Sequence, residues 1–136
     1  MAIGTNQITD TLTPTTGVVT ISGLMTAAVT IPLTSTSSDY TLVSGDANEI
    51  VLHPSADITP RTFTIPANGS VSYALGTNIT FINQNGAGDV TIAINTDTMR
   101  LAGAGTTGSR TLTANGIATA IKVTATEWII SGTGLT

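Results

Sequence analysis

Apolar and polar residues alternate one for one along short stretches of this chain, and the period of two recurs from end to end. In RTFTIP (61–66), Phe63 and Ile65 fall on one side while Thr62 and Thr64 fall on the other. NITFIN (78–83) puts Ile79 with Phe81, and DVTIAIN (89–95) aligns Val90, Ile92 and Ile94. GVVTIS (17–22) does the same with Val19 and Ile21. GIATAIKV (116–123) groups Ile117, Ile121 and Val123, with Lys122 opposite. Successive side chains of a strand point to opposite faces, so each run reads as a strand. No long stretch carries the i, i+3, i+4 apolar stripe of a helix together with a cap. The pattern predicts about ten to thirteen short strands.

Turn signals stand between these runs. Asn68-Gly69, Asn85-Gly86 and Asn115-Gly116 each separate two strand-like segments. Both central residues of a type I′ turn need positive φ, which Asn and Gly tolerate, so each pair is expected to close a hairpin. Prolines at 14, 32, 54, 60 and 66 bound the strands rather than interrupt them. The expected architecture is all-β, an antiparallel β-sandwich or a jelly-roll-like domain. Residues 1–15 read as an N-terminal arm or edge segment and residues 16–136 as a single β domain. No fixed-period repeat stands out.

Composition narrows the function classes. Charged residues make up 9% of the 136 positions, against roughly 25% in ordinary soluble domains. Thr is the commonest residue, and the mixture of β-branched and small side chains favours strands and tight turns. The net charge is −4, and the basic residues Arg61, Arg100, Arg110 and Lys122 are scattered. Nothing clusters to neutralise a phosphate backbone or an anionic bilayer, so neither nucleic acid nor membrane is expected as a partner. No segment has the n-region and h-region of a signal peptide, which points to synthesis in a cytoplasm. Zero cysteines remove disulfides, thiolate metal sites and Cys nucleophiles together. A weakly charged surface rich in Thr methyls and Ala also accommodates protein contact, a hint of oligomerisation.

The candidate chemistry is thin. Gly103-Ala-Gly105-Thr-Thr-Gly108 matches the dinucleotide-binding expression, but the sequence after it reads as strand and turn where a helix is required. His53 is the sole histidine, ends the run EIVLH, and has no nucleophile motif beside it. Asp39, Asp46, Asp57, Asp89 and Asp97 sit in loop-like sequence, where Asx turns account for them. No two carboxylates are spaced to share one strand face in an apolar setting, as a glycosidase pair would require. The reading is therefore of a protein that is not an enzyme, with no catalytic residues, no metal site and no cofactor. Phe63 and Phe81 read as core. Trp128, the only tryptophan, is divided between core and subunit interface.

Two segments carry a resemblance. YTLVSGDANEIVLHPSADITPRTFTIPANGSVSYALGTNITFINQNGAGDVTIA (40–93), followed by TLTANGIATAIKVTATEWIISG (111–132), resembles a recurrent β-rich module of tailed-bacteriophage virion proteins. That module opens on YTL…D.G..I, continues as TIP.N.S…..GT.I..I..G.G.VTI and ends as ATxIKxxTxEWxISG. The order and spacing of the pieces, over roughly residues 40–132, carry the likeness. Ala120 departs from it, standing where an aliphatic residue is usual. The module occurs in tail fibres, spikes and head-surface proteins, commonly as trimers, and brings no catalytic residues with it.

The chain opens at its own Met, with no shaft-forming region ahead of the module. The resemblance then implies a capsid decoration (cement) protein, a homotrimer on the outside of a phage head that stabilises the shell. The expected partners are further copies of the chain and the major capsid protein, and the expected location is the virion surface after synthesis in the bacterial cytoplasm. The candidate trimer seam is the C-terminal hairpin around Ile121, Val123, Trp128 and Ile130, and the candidate shell contact is the Thr-rich N-terminal region. The alternative is a receptor-binding tip of a tail fibre or spike, presenting loops such as 53–61 and 101–110.

Overall fold

A computed structural model describes residues 30–136. Nine strands run through these residues: β1 (Leu33–Ser35), β2 (Tyr40–Thr41), β3 (Ile50–His53), β4 (Arg61–Ile65), β5 (Asn78–Asn83), β6 (Val90–Ile94), β7 (Thr98–Leu101), β8 (Arg110–Thr124) and β9 (Glu127–Leu135). A single 3-10 turn, Ser44–Asp46, is the other regular element among the described residues. The protein is all-β, as the alternation predicts. The proposed arm at 1–15 and the strand at 17–22 lie outside the described residues.

The strands form one curled sheet in the order β1-β3-β5-β8-β6-β4-β2, with β9 on β8 and β7 on β9. Up to β6 the chain alternates between two stacks, β1-β3-β5 and β2-β4-β6, whose members run parallel. Ile50 stands beside Thr80, Arg61 beside Val90 and Thr98 beside Glu127. The chain thus coils with steps of 17 residues (Leu33 to Ile50) and 23 residues (Tyr40 to Phe63) and then of 29 or 30, the longer ones within the range of repeat architectures. The expected antiparallel arrangement is corrected accordingly, since parallel pairing accounts for five of the eight strand pairs. Alternating apolar positions fit parallel and antiparallel ladders equally well.

β8 joins the stacks. Its residues 110–112 pair antiparallel with β6, and its residues 116–121 pair antiparallel with β5. One strand therefore crosses the ends of both, and its free edge takes β9. The crossing needs a bend. Asn115 supplies it with φ of 63°, where the β8–β9 register shifts between Leu112 and Ile117. Asn visits this left-handed region at low cost.

None of the three Asn-Gly pairs closes a hairpin. Asn68-Gly69 and Asn85-Gly86 lie in connections between strands that do not pair, and Asn115-Gly116 lies inside β8. None has positive φ at both residues, the requirement of a type I′ turn. The hairpin that does form joins β8 to β9 through Ala125-Thr126, where Thr124 pairs with Glu127.

One apolar core lies inside the curl. Phe63 and Ile65 of β4, Ile79 and Phe81 of β5, and Val90 and Ile92 of β6 are all buried there. Trp128 and Ile130 of β9 fill the same interior, with Met99 of β7 opposite Trp128. Facing this bulk, β8 turns small residues inward. Ala118 lies opposite Phe81, and Ala120 lies opposite both Ile79 and Ile130. Ala120, the departure from the virion-module pattern, sits where a longer side chain would have to displace two isoleucines.

Candidate functional site

The two stacks differ on their outward sides. Outside β2-β4-β6 the cross-strand rows are Thr41–Thr64–Ala93 and Thr62–Thr91, continued on β8 by Thr111. Outside β1-β3-β5 the row Leu52–Ile82–Ile117 runs onto β8, and Ile121 lies directly opposite Ile129 of β9. On that face Ile117, Ile121, Val123 and Ile129 are 48%, 43%, 39% and 37% exposed. One wall of the molecule is thus hydroxyl-rich, and the other carries aliphatic rows on either side of a hydroxyl row, Thr80–Thr119–Ser131. Exposed aliphatic side chains held on a sheet suit protein contact.

The four residues predicted for a subunit seam do not share a surface. Trp128 and Ile130 are fully buried within a single chain, so they are not available to a partner. Ile121 and Val123 point outward on the aliphatic wall. A strand places neighbours on opposite faces, and pairing with β8 and β7 turns the Trp128 side inward. Of the four, only Ile121 and Val123 stay exposed in the single chain, as Ile117 and Ile129 do. The N-terminal shell contact lies outside the described residues.

A polar column runs through one end of the interior. Arg61 Nε donates to Asp57 Oδ2 at 2.7 Å, and His53 Nε2 meets the same oxygen at 3.1 Å. His53 Nδ1 faces Asn83 Oδ1 at 3.1 Å and Gly88 O at 3.2 Å. Asn83 Nδ2 in turn donates to the carbonyls of Gly88 and Leu112. His53 and Asn83 occupy facing positions at the ends of β3 and β5. His53 is fully buried and hydrogen-bonded at both ring nitrogens. The coil was detectable in the matched ends of IVLH and TFIN, thirty positions apart.

Arg61, and after it His53, hold the Asp57 carboxyl well below the usual carboxylate range, against the opposing effect of burial. In the unfolded chain Asp57 takes up its proton nearer pH 4. Its contribution to stability is therefore complete above that pH and is lost as the pH falls towards the folded value. D57N is expected to flatten the fall in melting temperature between about pH 4 and about pH 2 that wild type shows by circular dichroism. An unchanged acid limb in D57N would show that Asp57 has no part in it.

Other singled-out residues have structural employment. Thr59 N–H donates to Asp57 Oδ1, Val43 N–H to Asp46 Oδ2, and Thr62 N–H to Asp39 Oδ1. The 103–108 loop runs into β8, a strand where a pyrophosphate site needs a helix. Its Arg100–Glu127 neighbour pair, at 2.8 Å, is largely solvated and contributes little. Tyr73 is buried, which pushes its phenol up, and it donates to Val43 O at 2.6 Å. Among the described residues no group of three His, Cys, Asp or Glu side chains is placed to hold a metal ion.

Lys122 is the residue that pattern reading missed. It is 1% exposed, opposite Trp128 on the inner side of the hairpin. Its Nζ donates to Asn68 Oδ1 at 2.6 Å and lies 5.5 Å from the Trp128 ring centre. A lone Lys among aliphatics ordinarily reads as the wet side of a strand, which is why the signal pointed the other way. No protein-family model matches the chain, and no curated protein or solved structure matches it.

Proposed function

We propose that this chain is a structural virion protein, a capsid decoration protein that assembles as a homotrimer on the outside of a phage head and stabilises it. The observation that carries the reading is the aliphatic wall of Ile117, Ile121, Val123 and Ile129, exposed in a single copy. Resemblance of residues 40–132 to the tailed-phage virion module supplies the setting. The trimer would form by burying this wall, and each trimer would bridge neighbouring shell subunits through other surfaces. An interface of about 1,600 Å2 is a standard size for stable association. At roughly 25 cal/mol per Å2 of apolar area it offsets the cost of joining the copies. Several weak shell contacts per trimer then combine into high occupancy.

The Thr-rich opposite wall suits an outer surface. No catalytic role is proposed. A receptor-binding tip remains the alternative, and placement of the chain on particles by cryo-electron microscopy separates head from tail.

The trimer is tested in solution. Wild type is expected to sediment as a trimer at micromolar concentration. I121K, at an exposed position, is expected to keep its melting temperature while sedimenting as a monomer, since surface changes alter stability by only about 0.5 kcal/mol. A monomeric wild type refutes the assembly, and a trimeric I121K of wild-type affinity refutes the assignment of the aliphatic wall.

A further inference from the structure

We propose that Lys122 and Asn68 become joined by an intramolecular isopeptide bond, a covalent cross-link between the closing strand β8 and the loop after β4. Lys122 Nζ is 2.6 Å from Asn68 Oδ1. Because Oδ1 is bonded to Cγ, the amine lies at most about one carbonyl bond, ~1.2 Å, further from the carbon it would attack. The amine is shielded from water: Lys122 is fully buried, the Trp128 ring lies 5.5 Å from Nζ, and Asn68 is half-buried. Among the described residues no carboxylate lies within ion-pair distance of this amine. A buried amine, a carboxamide and a nearby acid held in place by the fold satisfy the proximity requirement for acyl transfer.

The acid is Asp97. It is buried, and its Oδ2 accepts the backbone N–H of Asn68 at 3.1 Å. The step is balanced without any co-reactant. The lone pair of the neutral Nζ attacks Cγ, and the resulting tetrahedral adduct collapses with cleavage of Cγ–Nδ2. The proton shed by Nζ is carried to Nδ2, which leaves as ammonia. Asp97 acts from the far side of Asn68 as a positioning residue, fixing the backbone that carries the carboxamide. The product is one amide and one ammonia, with no change of oxidation state. The bond would span 54 residues of chain and tie the coil to the strand that closes it, independently of what the outer wall binds.

Mass spectrometry decides the matter on the wild-type protein. Trypsin cuts this sequence after Arg61, Arg100, Arg110 and Lys122. The cross-linked chain is expected to be lighter by one ammonia, to resist cleavage at Lys122, and to yield peptide 62–100 covalently joined to 111–136. K122R is expected to restore the full mass. D97N is expected to slow cross-link formation after refolding by about a hundredfold, the loss that a ~1 Å misplacement of a reacting group brings. The D97N melting curve before cross-linking shows whether the fold is intact, and D97E is expected to recover the rate.

Full mass with separate 62–100 and 111–122 peptides in folded wild type overturns the proposal. So does ammonia loss confined to 62–100, which is succinimide formation at Asn68-Gly69. An unchanged rate in D97N overturns the part given to Asp97.

Discussion

W128A is expected to lose about 3–5 kcal/mol of folding stability, the cost of deleting a large aromatic ring from a packed core. That is a large share of the roughly 5–15 kcal/mol that holds a domain together. The ring is fully buried, stands edge-on to Tyr73 at 5.6 Å, and faces Met99 on β7 and Lys122 on β8. Its loss leaves a void bounded by three strands whose backbones are tied by hydrogen bonds and close in only partly. Among the described residues its Nε1–H has no partner. W128F removes that unpaired donor and keeps most of the volume, so it is expected to cost under about 1.5 kcal/mol. Urea unfolding followed by far-ultraviolet circular dichroism measures both without needing the indole as a probe. If W128A instead dissociates an oligomer while each chain keeps its stability, Trp128 belongs to a seam and the core described above is wrong.

The second large effect is expected at Gly88. A Cβ there would lie 2.5 Å from Thr59 C, 2.6 Å from Ile58 O and 2.6 Å from Pro60 N. These are backbone atoms of the loop after β3, so no side chain can swing aside. Gly88 also receives hydrogen bonds on its carbonyl from His53 and Asn83, and its N–H donates to Asp57 O at 3.1 Å. Displacing it opens the polar column from the middle. G88A is expected to cost about 3 kcal/mol, the upper end of ordinary overpacking, and G88V to leave little folded protein. Gly69 is the control: its Cβ position is empty and its φ is ordinary. G69A is expected to be neutral or to stabilise by up to about 1 kcal/mol through the unfolded chain. Equal midpoints for G88A and G69A in urea would show that the two loops do not pack as described.

Much of this protein could be read in advance, and the residues show how far. Phe63 with Ile65, Ile79 with Phe81 and Val90 with Ile92 were grouped by alternation alone, and each pair is buried together. The Asx turn at Asp57 followed from residue type and loop context, whereas Asp39 accepts from Thr62, 23 residues further along the chain. The candidate surface was half legible, since Ile121 and Val123 were placed on one face. Which way that face pointed was not, because alternation has no sign. Trp128 and Lys122 sit inside while Ile117, Ile121 and Ile129 sit outside, the reverse of what polarity suggests for Lys122.

Strand content, the sides that side chains share, and the residues suited to turns are local properties, dictated by φ/ψ preference and the two-residue period of an extended chain. Partner choice is not local. Asn-Gly can turn a chain, but whether the next strand lies beside the last or thirty residues away depends on how two stacks close around one core. β8 settles that by pairing with both. The pairings of Lys122 with Asn68 and of His53 with Asn83 exist only because the coil brings distant residues into register. Contact between residues far apart in the chain is set by the packing of the whole, which no short window of sequence contains.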